Sequence, residues 1–210
     1  STALVLTGIF FSVLIILTSV QLQYWENSVK LFEHAIEVTE KKYPSFVGIY
    51  NNLGVVLNEQ MKFEEAKSHL KNAVKLQPTY SEAHNNLGNS LSGLNRFQEA
   101  NISYKEAIRL KPDYPEAHNN LANSLVKMLN FDDAVTHYLA AIRYKPEFAK
   151  AHFNLGTTFN LKEFKWNNNE VAIRYLEEAI RLEPNFFEAH LALGNILFLR
   201  NDFNTAIHHF

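Results

Sequence analysis

Four histidines recur at one position of a repeating pattern, and imidazole is the side chain that most often binds transition metals or moves protons near neutral pH. Their spacings are 34, 34 and 38 residues, for His84, His118, His152 and His190. A metal holds its ligands within ~2.1 Å, whereas neighbouring helices lie ~10 Å apart, so the series cannot converge on one ion. The pattern predicts packed or solvated rings and no metal site. His208 and His209 are expected to be exposed.

The sequence offers no catalytic constellation. It contains no cysteine, which removes thiolate nucleophiles, thiolate metal sites and disulfides. No nucleophile, base and orienting acid stand in a recognisable motif. Lys plus Arg number 20 against 22 for Asp plus Glu, so the nearly neutral chain lacks the positive charge that nucleic-acid binding requires. Within this segment we expect no enzyme activity, no cofactor and no nucleic-acid partner.

Asparagines form a second series that repeats with the histidines. They stand one position before a leucine, or one position after the small residue that follows it: Asn52, Asn86, Asn89, Asn120, Asn123, Asn154 and Asn195. A primary amide both donates and accepts, as binding an extended peptide backbone requires. Alternatively, the asparagines bridge adjacent helices or reflect composition. The series is interrupted at Ala192, which weakens the peptide-binding interpretation near the end of the chain.

These positions recur because the chain is built from a repeat of 34 residues, seen most clearly over 81–114 and 115–148. Prolines mark the same register with spacings of 34, 34 and 38, at Pro78, Pro112, Pro146 and Pro184. The longer spacing predicts a four-residue insertion between Leu161 and Val171, and a similar one falls around 41–46. Scarce glycine and proline, 7 and 6 residues, favour ordered helices.

Each repeat carries small residues where two helices should cross. Leu-Gly or Leu-Ala pairs lie on the first helix, at 53–54, 87–88, 121–122, 155–156 and 193–194. An alanine opens the second helix, at Ala66, Ala100, Ala134, Ala172 and Ala206. Large residues then fill the gaps, at Phe63, Phe97, Phe131, Phe203, Leu70, Tyr104, Tyr138, Leu176 and Phe210. The proline stops the second helix.

This signature resembles the tetratricopeptide repeat (TPR) over residues 24–210. The resemblance implies an all-α, right-handed superhelix of helix pairs, whose first helices line a concave surface. Residues 24–46 would form a half repeat and linker, and 47–210 about five repeats with the last one incomplete. The asparagines would then line the concave face. A carboxylate clamp, which grips a peptide C-terminus, would need Lys and Arg at these positions, and chaperone-tail recognition is therefore disfavoured.

The first 23 residues predict a membrane anchor. Residues 3–20 are apolar apart from a few hydroxyls, and no charge appears before Glu26. A helix through residues 3–22 would match a bilayer core of ~30 Å, and Tyr24 with Trp25 would form an interfacial belt. A signal peptide and a buried capping helix are the alternatives. No Lys or Arg occurs before Lys30, which favours a single span with extracytoplasmic repeats.

The order of hydrophobic helix, short linker and AHNNLG repeats resembles the TPR tails of membrane glycosyltransferase-like proteins, including transmembrane O-mannosyltransferases. The asparagine series resembles that of the O-GlcNAc transferase repeats, which hold extended polypeptide. The chain begins at Ser1, and we expect it to be part of a longer protein. The function these resemblances imply is a membrane-anchored module that holds polypeptide near a transferase. The alternative is a non-enzymatic membrane-tethered scaffold.

Overall fold

The computed structural model describes residues 28–40, 47–161, 165 and 168–210, and these form helices joined by short turns. The predicted anchor over 1–23, the linker over 41–46 and part of the insertion lie outside the described residues. The helices are α1 Ser28–Glu40, α2 Val47–Glu59, α3 Phe63–Leu76, α4 Ser81–Gly93, α5 Phe97–Leu110, α6 Pro115–Lys127, α7 Phe131–Tyr144, α8 Ala149–Phe159, α9 Asn169–Leu182, α10 Phe187–Leu199 and α11 Phe203–Ala206, followed by the 3-10 turn Ile207–His209. The all-α prediction is confirmed.

The chain divides into two compact units, an N-terminal unit Ser1–Leu94 and a C-terminal unit Asn95–Phe210. In the N-terminal unit, α1 packs on α2, α2 on α3, and α3 on α4. In the C-terminal unit, α6 packs on both α5 and α7, and the sequence of neighbours continues from α7 to α11. Each unit is a helical solenoid, since helices that are neighbours in sequence are also neighbours in space.

Small residues stand at the helix crossings, as the repeat register predicts. The alanines at 66, 100, 134, 172 and 206 are at most 1% exposed. A Cβ added at Gly156 on α8 would come 3.0 Å from the backbone oxygen of Ala172 on α9, and one added at Gly54 would come 2.4 Å from Leu70 Cγ. These contacts show that glycine is needed for the close approach of the paired helices.

The ends of the helices follow from local chemistry. The second helices α3, α5, α7 and α9 each stop two residues before a proline, which has no N–H to continue the helix. The first helices α2, α4, α6 and α10 are each followed, two residues after their last one, by a residue with left-handed backbone: Met61 (φ 60°), Asn95 (58°), Leu129 (59°) and Asn201 (64°). At Leu129 the turn is closed by two hydrogen bonds, from its N–H to Val126 O and from Asn130 N–H to Leu125 O. This is a Schellman motif, and it turns the chain back toward α7.

The insertion before α9 brings its own helix cap. The side-chain oxygen of Asn168 accepts from the backbone N–H groups of Glu170 at 3.0 Å and Val171 at 3.2 Å. Asparagine is a favoured N-cap because its side chain satisfies donors that have no partner within the helix. The longer connection is therefore compatible with an ordinary helix pair, α8 and α9.

Most gap-filling positions of the inner repeats are buried, with Phe63 and Phe97 half-buried, and the last repeat departs from this prediction. Leu70, Tyr104 and Leu176 are at most 2% exposed, whereas Phe203 and Phe210 are 53% and 65% exposed. Those two lie at the short α11 and just past its 3-10 turn, and within the described residues no helix covers their outer side. The prediction is wrong for Phe203. Phe210 lies against Gly194 as predicted, but most of its ring stays exposed.

No helix in the described part of the chain combines the length and apolar character needed to cross a membrane.

Candidate functional site

The recurrent histidines tie each first helix to the loop before it. In all four cases Nε2 donates to the carbonyl oxygen of the proline six residues earlier, at 2.9 Å for His84 and His152 and 3.0 Å for His118 and His190. The bond leaves Nδ1 with the lone pair in the neutral ring. A structural role is therefore confirmed. Within the described ranges, no three His, Asp or Glu side chains come together to hold a metal ion.

Two of these rings also meet a second histidine. His118 Nδ1 lies 3.0 Å from Nδ1 of His137, with ring centroids 5.3 Å apart, and His190 Nδ1 lies 3.0 Å from Nδ1 of His209. Because the proline carbonyl fixes the proton of the first ring on Nε2, the second ring donates. The expectation that His209 is exposed is wrong, since this pairing leaves it half-buried. His208 is exposed as expected.

These pairs predict that acid destabilises the protein. Burial lowers the pKa of His118, His137 and His209 below the ordinary 6.5, and the facing histidine lowers the last two further. Asp133 opposes the shift of His137 and Lys105 adds to it. The unfolded chain therefore binds more protons, so stability is complete above the unfolded pKa and falls as pH drops below it. Urea denaturation between about pH 7.5 and 5.5 should show a decreasing free energy of unfolding.

His137→Gln is the informative variant, because glutamine keeps a donor for His118 and does not titrate. We expect it to be less sensitive to pH than the parent over the same interval. An exposed control that changes no titratable group, Asn72→Gln, should behave as the parent does. A free energy of unfolding that stays constant or rises on acidification would contradict the lowered pKa values assigned to the paired histidines.

Two of the predicted asparagines, Asn86 and Asn154, form hydrogen bonds between repeats. In the N-terminal unit, Asn86 Nδ2 donates to Asn51 Oδ1 at 2.9 Å, and its backbone oxygen accepts from Asn58 Nδ2 at 3.1 Å. In the C-terminal unit, Asn154 Nδ2 donates to Asn119 Oδ1 at 2.9 Å. Asn51 and Asn119 are buried. Part of the asparagine series therefore bridges adjacent first helices. This agrees with the alternative interpretation of the sequence, in which the asparagines join neighbouring helices.

The C-terminal unit also brings two of the predicted residues together in a groove of about 380 Å³. Its lining comes from α6, α7, α8 and the turn after α8, and consists of Asn123, Val126, Lys127, Tyr138, Asn154, Thr157, Thr158 and Leu161. Pockets of this size fit a few residues of a peptide. Sequence reasoning selected Asn123 and Asn154 for this role but not the threonines, Lys127 or Val126.

Hydrogen bonds fix the direction of the two groove amides. The Tyr138 hydroxyl donates to Asn123 Oδ1 at 2.6 Å, and burial raises the pKa of Tyr138, so that the phenol stays protonated. This leaves Asn123 Nδ2 as a donor toward the groove. Asn154 uses Nδ2 for Asn119, which leaves its Oδ1 as an acceptor. A donor and an acceptor on neighbouring helices match the two polar groups of a peptide bond.

The other predicted residues lie outside this groove. Asn52 and Asn195 are exposed, and Asn89 and Asn120 are half-buried. Asn52 accepts weakly from Asn51 at 3.4 Å and Asn120 from Asn119 at 3.5 Å.

Comparison with solved structures shows the fold. The crystal structure of MamA is 24% identical, covers 76% of this chain and 88% of that chain, and has a TM-score of 0.63. MamA (41-end) from Desulfovibrio magneticus RS-1 is 23% identical, covers 78% of this chain and 90% of that chain, and has a TM-score of 0.64. Pseudomonas aeruginosa pilF is 22% identical, covers 78% of this chain and 72% of that chain, and has a TM-score of 0.70. Among curated proteins no match was found.

Family models match most of the repeat array. Tetratricopeptide-repeat models match residues 46–113 and 164–210, and a TPR-repeat model matches residues 130–160. Together these ranges take in more than half of the 210 residues. With the buried alanines, the close approaches at Gly54 and Gly156, and the helix-pair solenoid in each unit, they identify the chain as a tetratricopeptide-repeat protein, a protein-interaction module.

Proposed function

We propose that this chain binds extended polypeptide through the asparagine-lined groove of its C-terminal unit. The observation that carries the proposal is the pair of oriented amides, Asn123 Nδ2 as donor and Asn154 Oδ1 as acceptor, in one groove of about 380 Å³. Polar backbone recognition without a deep apolar pocket favours segments defined by conformation more than by one side chain. The other predicted asparagines are candidates for similar contacts on their own helices.

The chemistry of the groove indicates how a segment would lie in it. Val126 and Leu161 offer apolar contact, while Thr157 and Thr158 use their hydroxyls to bond back to Asn154 O at 2.9 and 2.8 Å. These hydroxyls are therefore less available to a ligand than the amides are. Among the described residues of the lining, Lys127 is the one charged side chain, so an acidic residue in the bound segment would be favoured at that end.

The experiment removes both amides. Asn123→Ala with Asn154→Ala should weaken binding of an extended peptide by about ten- to a hundredfold, because a neutral hydrogen bond contributes ~0.5–1.5 kcal/mol net. Peptides selected on the parent from a random twelve-residue display library, then synthesised singly, would be titrated by fluorescence anisotropy against parent and variant.

Two controls accompany the double variant. Asn72→Ala, an exposed asparagine on α3, should leave affinity unaltered. The double variant removes the partners of Tyr138 and Asn119, so its melting midpoint should fall by a few degrees while its helical circular dichroism stays the same. Equal affinity in parent and double variant, or a library that yields no binder to the parent, would refute the proposal.

We further propose that the chain is the tail of a larger membrane glycosyltransferase-like protein, anchored through residues 3–22 with its repeats outside the cytoplasm. The support is the uncharged opening of the sequence and the order of hydrophobic segment, linker and repeats. Carbonate extraction of the full-length protein tests the anchor, since release without detergent would contradict it. Further spans and an acidic extracytoplasmic loop upstream would support the transferase parent.

A non-enzymatic membrane-tethered scaffold is the second candidate, and the surface of α10 favours it. This helix is apolar on nearly every side and exposes Phe187, Leu191, Phe198 and Leu199. Large exposed apolar residues on one helix are typical of protein contacts. A single upstream span, with no acidic loop, would select the scaffold over the transferase tail.

A further inference from the structure

A second cavity lies in the C-terminal unit between α8 and α9. Its volume is about 410 Å³, and it is lined by His152, Val171, Arg174, Tyr175 and Glu178. It shares no residue with the peptide groove. His152 and Asn154 are two positions apart on α8, which turns their side chains ~200° from each other. The two cavities therefore open on opposite sides of this helix.

His152 lines this cavity and has one ring nitrogen without a hydrogen-bond partner. The residue is 6% exposed, and its Nε2 donates to Pro146 O at 2.9 Å. Its Nδ1 is buried without a hydrogen-bond partner. Since Nε2 carries the proton of the neutral ring, Nδ1 is a buried acceptor that lacks a donor. Buried polar atoms are nearly always satisfied in proteins, and an exception indicates a missing partner.

The neighbouring repeats show what that partner is when the chain supplies it. His118 and His190 hold the same position as His152, and each has its Nδ1 bonded to a second histidine, at 3.0 Å. The equivalent of that second histidine on α9 is Tyr175, whose ring centroid lies 6.0 Å from that of His152. Tyrosine therefore replaces the donor by a ring that does not bond to Nδ1, and the cavity lies where the repeat lacks its own hydrogen bond.

The lining carries one carboxylate, Glu178, and one guanidinium, Arg174. Glu178 accepts two bonds from Arg181, at 2.6 and 2.7 Å, and this bonding lowers the pKa of the carboxyl. Arg174 is exposed and makes no ion pair with any described residue. The Glu178 carboxylate is thus paired with a guanidinium of the same helix, whereas the Arg174 guanidinium can bind an anionic ligand.

We propose that this cavity binds an acidic peptide segment, which donates a backbone N–H to His152 Nδ1 and places a carboxylate on Arg174. One aspartyl residue carries both groups, and a cavity of about 410 Å³ holds it with its neighbours. Because Nδ1 is enclosed, this binding requires the Tyr175 ring to turn aside. The site is independent of the peptide groove and gives the chain a second, charge-selective contact.

The test uses the whole 210-residue chain and three probes: acetyl-Gly-Asp-Gly-amide, acetyl-Gly-Asn-Gly-amide and free aspartate. Binding is followed by NMR through the imidazole nitrogens of His152 and the guanidinium of Arg174. We expect the Asp peptide to shift both saturably and to bind at least about tenfold more tightly than the Asn peptide, because a charge-assisted bond is lost in the latter. Absence of saturable shifts up to about 10 mM, or equal affinity for both peptides, would overturn the proposal.

Variants separate the site from its surroundings. Arg174→Gln should weaken the Asp peptide about tenfold and leave the melting midpoint unaltered, while the exposed control Arg143→Gln should change neither. Tyr175→His should rebuild the imidazole pair of the neighbouring repeats, raise the melting midpoint and abolish binding. Undiminished binding by that variant would overturn the role of Nδ1. Equal affinity for free aspartate would overturn the assignment to a peptide.

The groove and this cavity can fail separately. The Asn123→Ala, Asn154→Ala double variant should bind the Asp peptide as the parent does, because those residues face the other side of α8. A loss of Asp-peptide binding in that variant would show that the probe occupies the groove, and the cavity proposal would then be wrong.

Discussion

Replacing Leu121 with alanine should lower the free energy of unfolding by ~2–5 kcal/mol. Leu121 lies on α6 with no exposed surface, and the alanine would leave a cavity that packed helices on both sides cannot close. The cost combines the smaller apolar area removed from water with weaker dispersion attraction among the side chains that line the cavity. Urea denaturation followed by circular dichroism would measure it.

The matched control is Leu139→Ala on α7, because that leucine is 45% exposed. It should change stability by no more than ~0.5 kcal/mol. Since repeats couple mainly to their neighbours, hydrogen exchange in the Leu121 variant should accelerate most in α6, α7 and α8. Similar losses in both variants would show that Leu121 is not a core position.

Replacing Ala134 with leucine should destabilise the protein by ~1–3 kcal/mol through the opposite effect. Ala134 begins α7 where it crosses α6, and it has no exposed surface. Leucine adds carbon atoms for which the crossing has no room, so the helices must separate or side chains must leave their preferred rotamers. Thermal denaturation of parent and variant would measure the effect.

Thr136→Leu provides the comparison on the same helix, because Thr136 is exposed. The substitution adds a large apolar side chain at a position that faces solvent, so it displaces only water. The melting midpoint of this variant should therefore remain close to that of the parent. If Ala134→Leu melted at the parent's temperature, the assignment of Ala134 to a helix crossing would be incorrect.

The helices could be predicted from sequence because the signals that define them are local. Pro112 ends α5, Ala134 marks a crossing, and the 34-residue period repeats these signals in register. Small residues at fixed offsets specify close packing in each copy, whatever surrounds them. The positions of the paired helices follow from the pattern without reference to distant residues.

Contacts between side chains on different helices could not be predicted in the same way. The pair His118 and His137 depends on how α6 and α7 are rotated about their axes, and the period does not specify that rotation. The missing donor at His152 becomes visible only when its neighbourhood is compared with the two complete pairs. Likewise, Asn154 uses Nδ2 for the bond to Asn119, which leaves Oδ1 for the groove. The sequence pattern does not distinguish these two roles of one side chain.

The amide bridges also bear on how such an array can evolve by recombination. The bond from Asn154 to Asn119, like that from Asn86 to Asn51, joins the donor of one repeat to the acceptor of the previous one. A repeat that carries adjacent asparagines can therefore be duplicated or removed without leaving an unpaired amide. Phe153 occupies the acceptor position of its repeat and instead meets Phe186, with ring centroids 4.9 Å apart. A recombination that placed Phe153 next to an asparagine donor would leave that donor without an acceptor. The position of Phe153 therefore restricts which repeats can be exchanged.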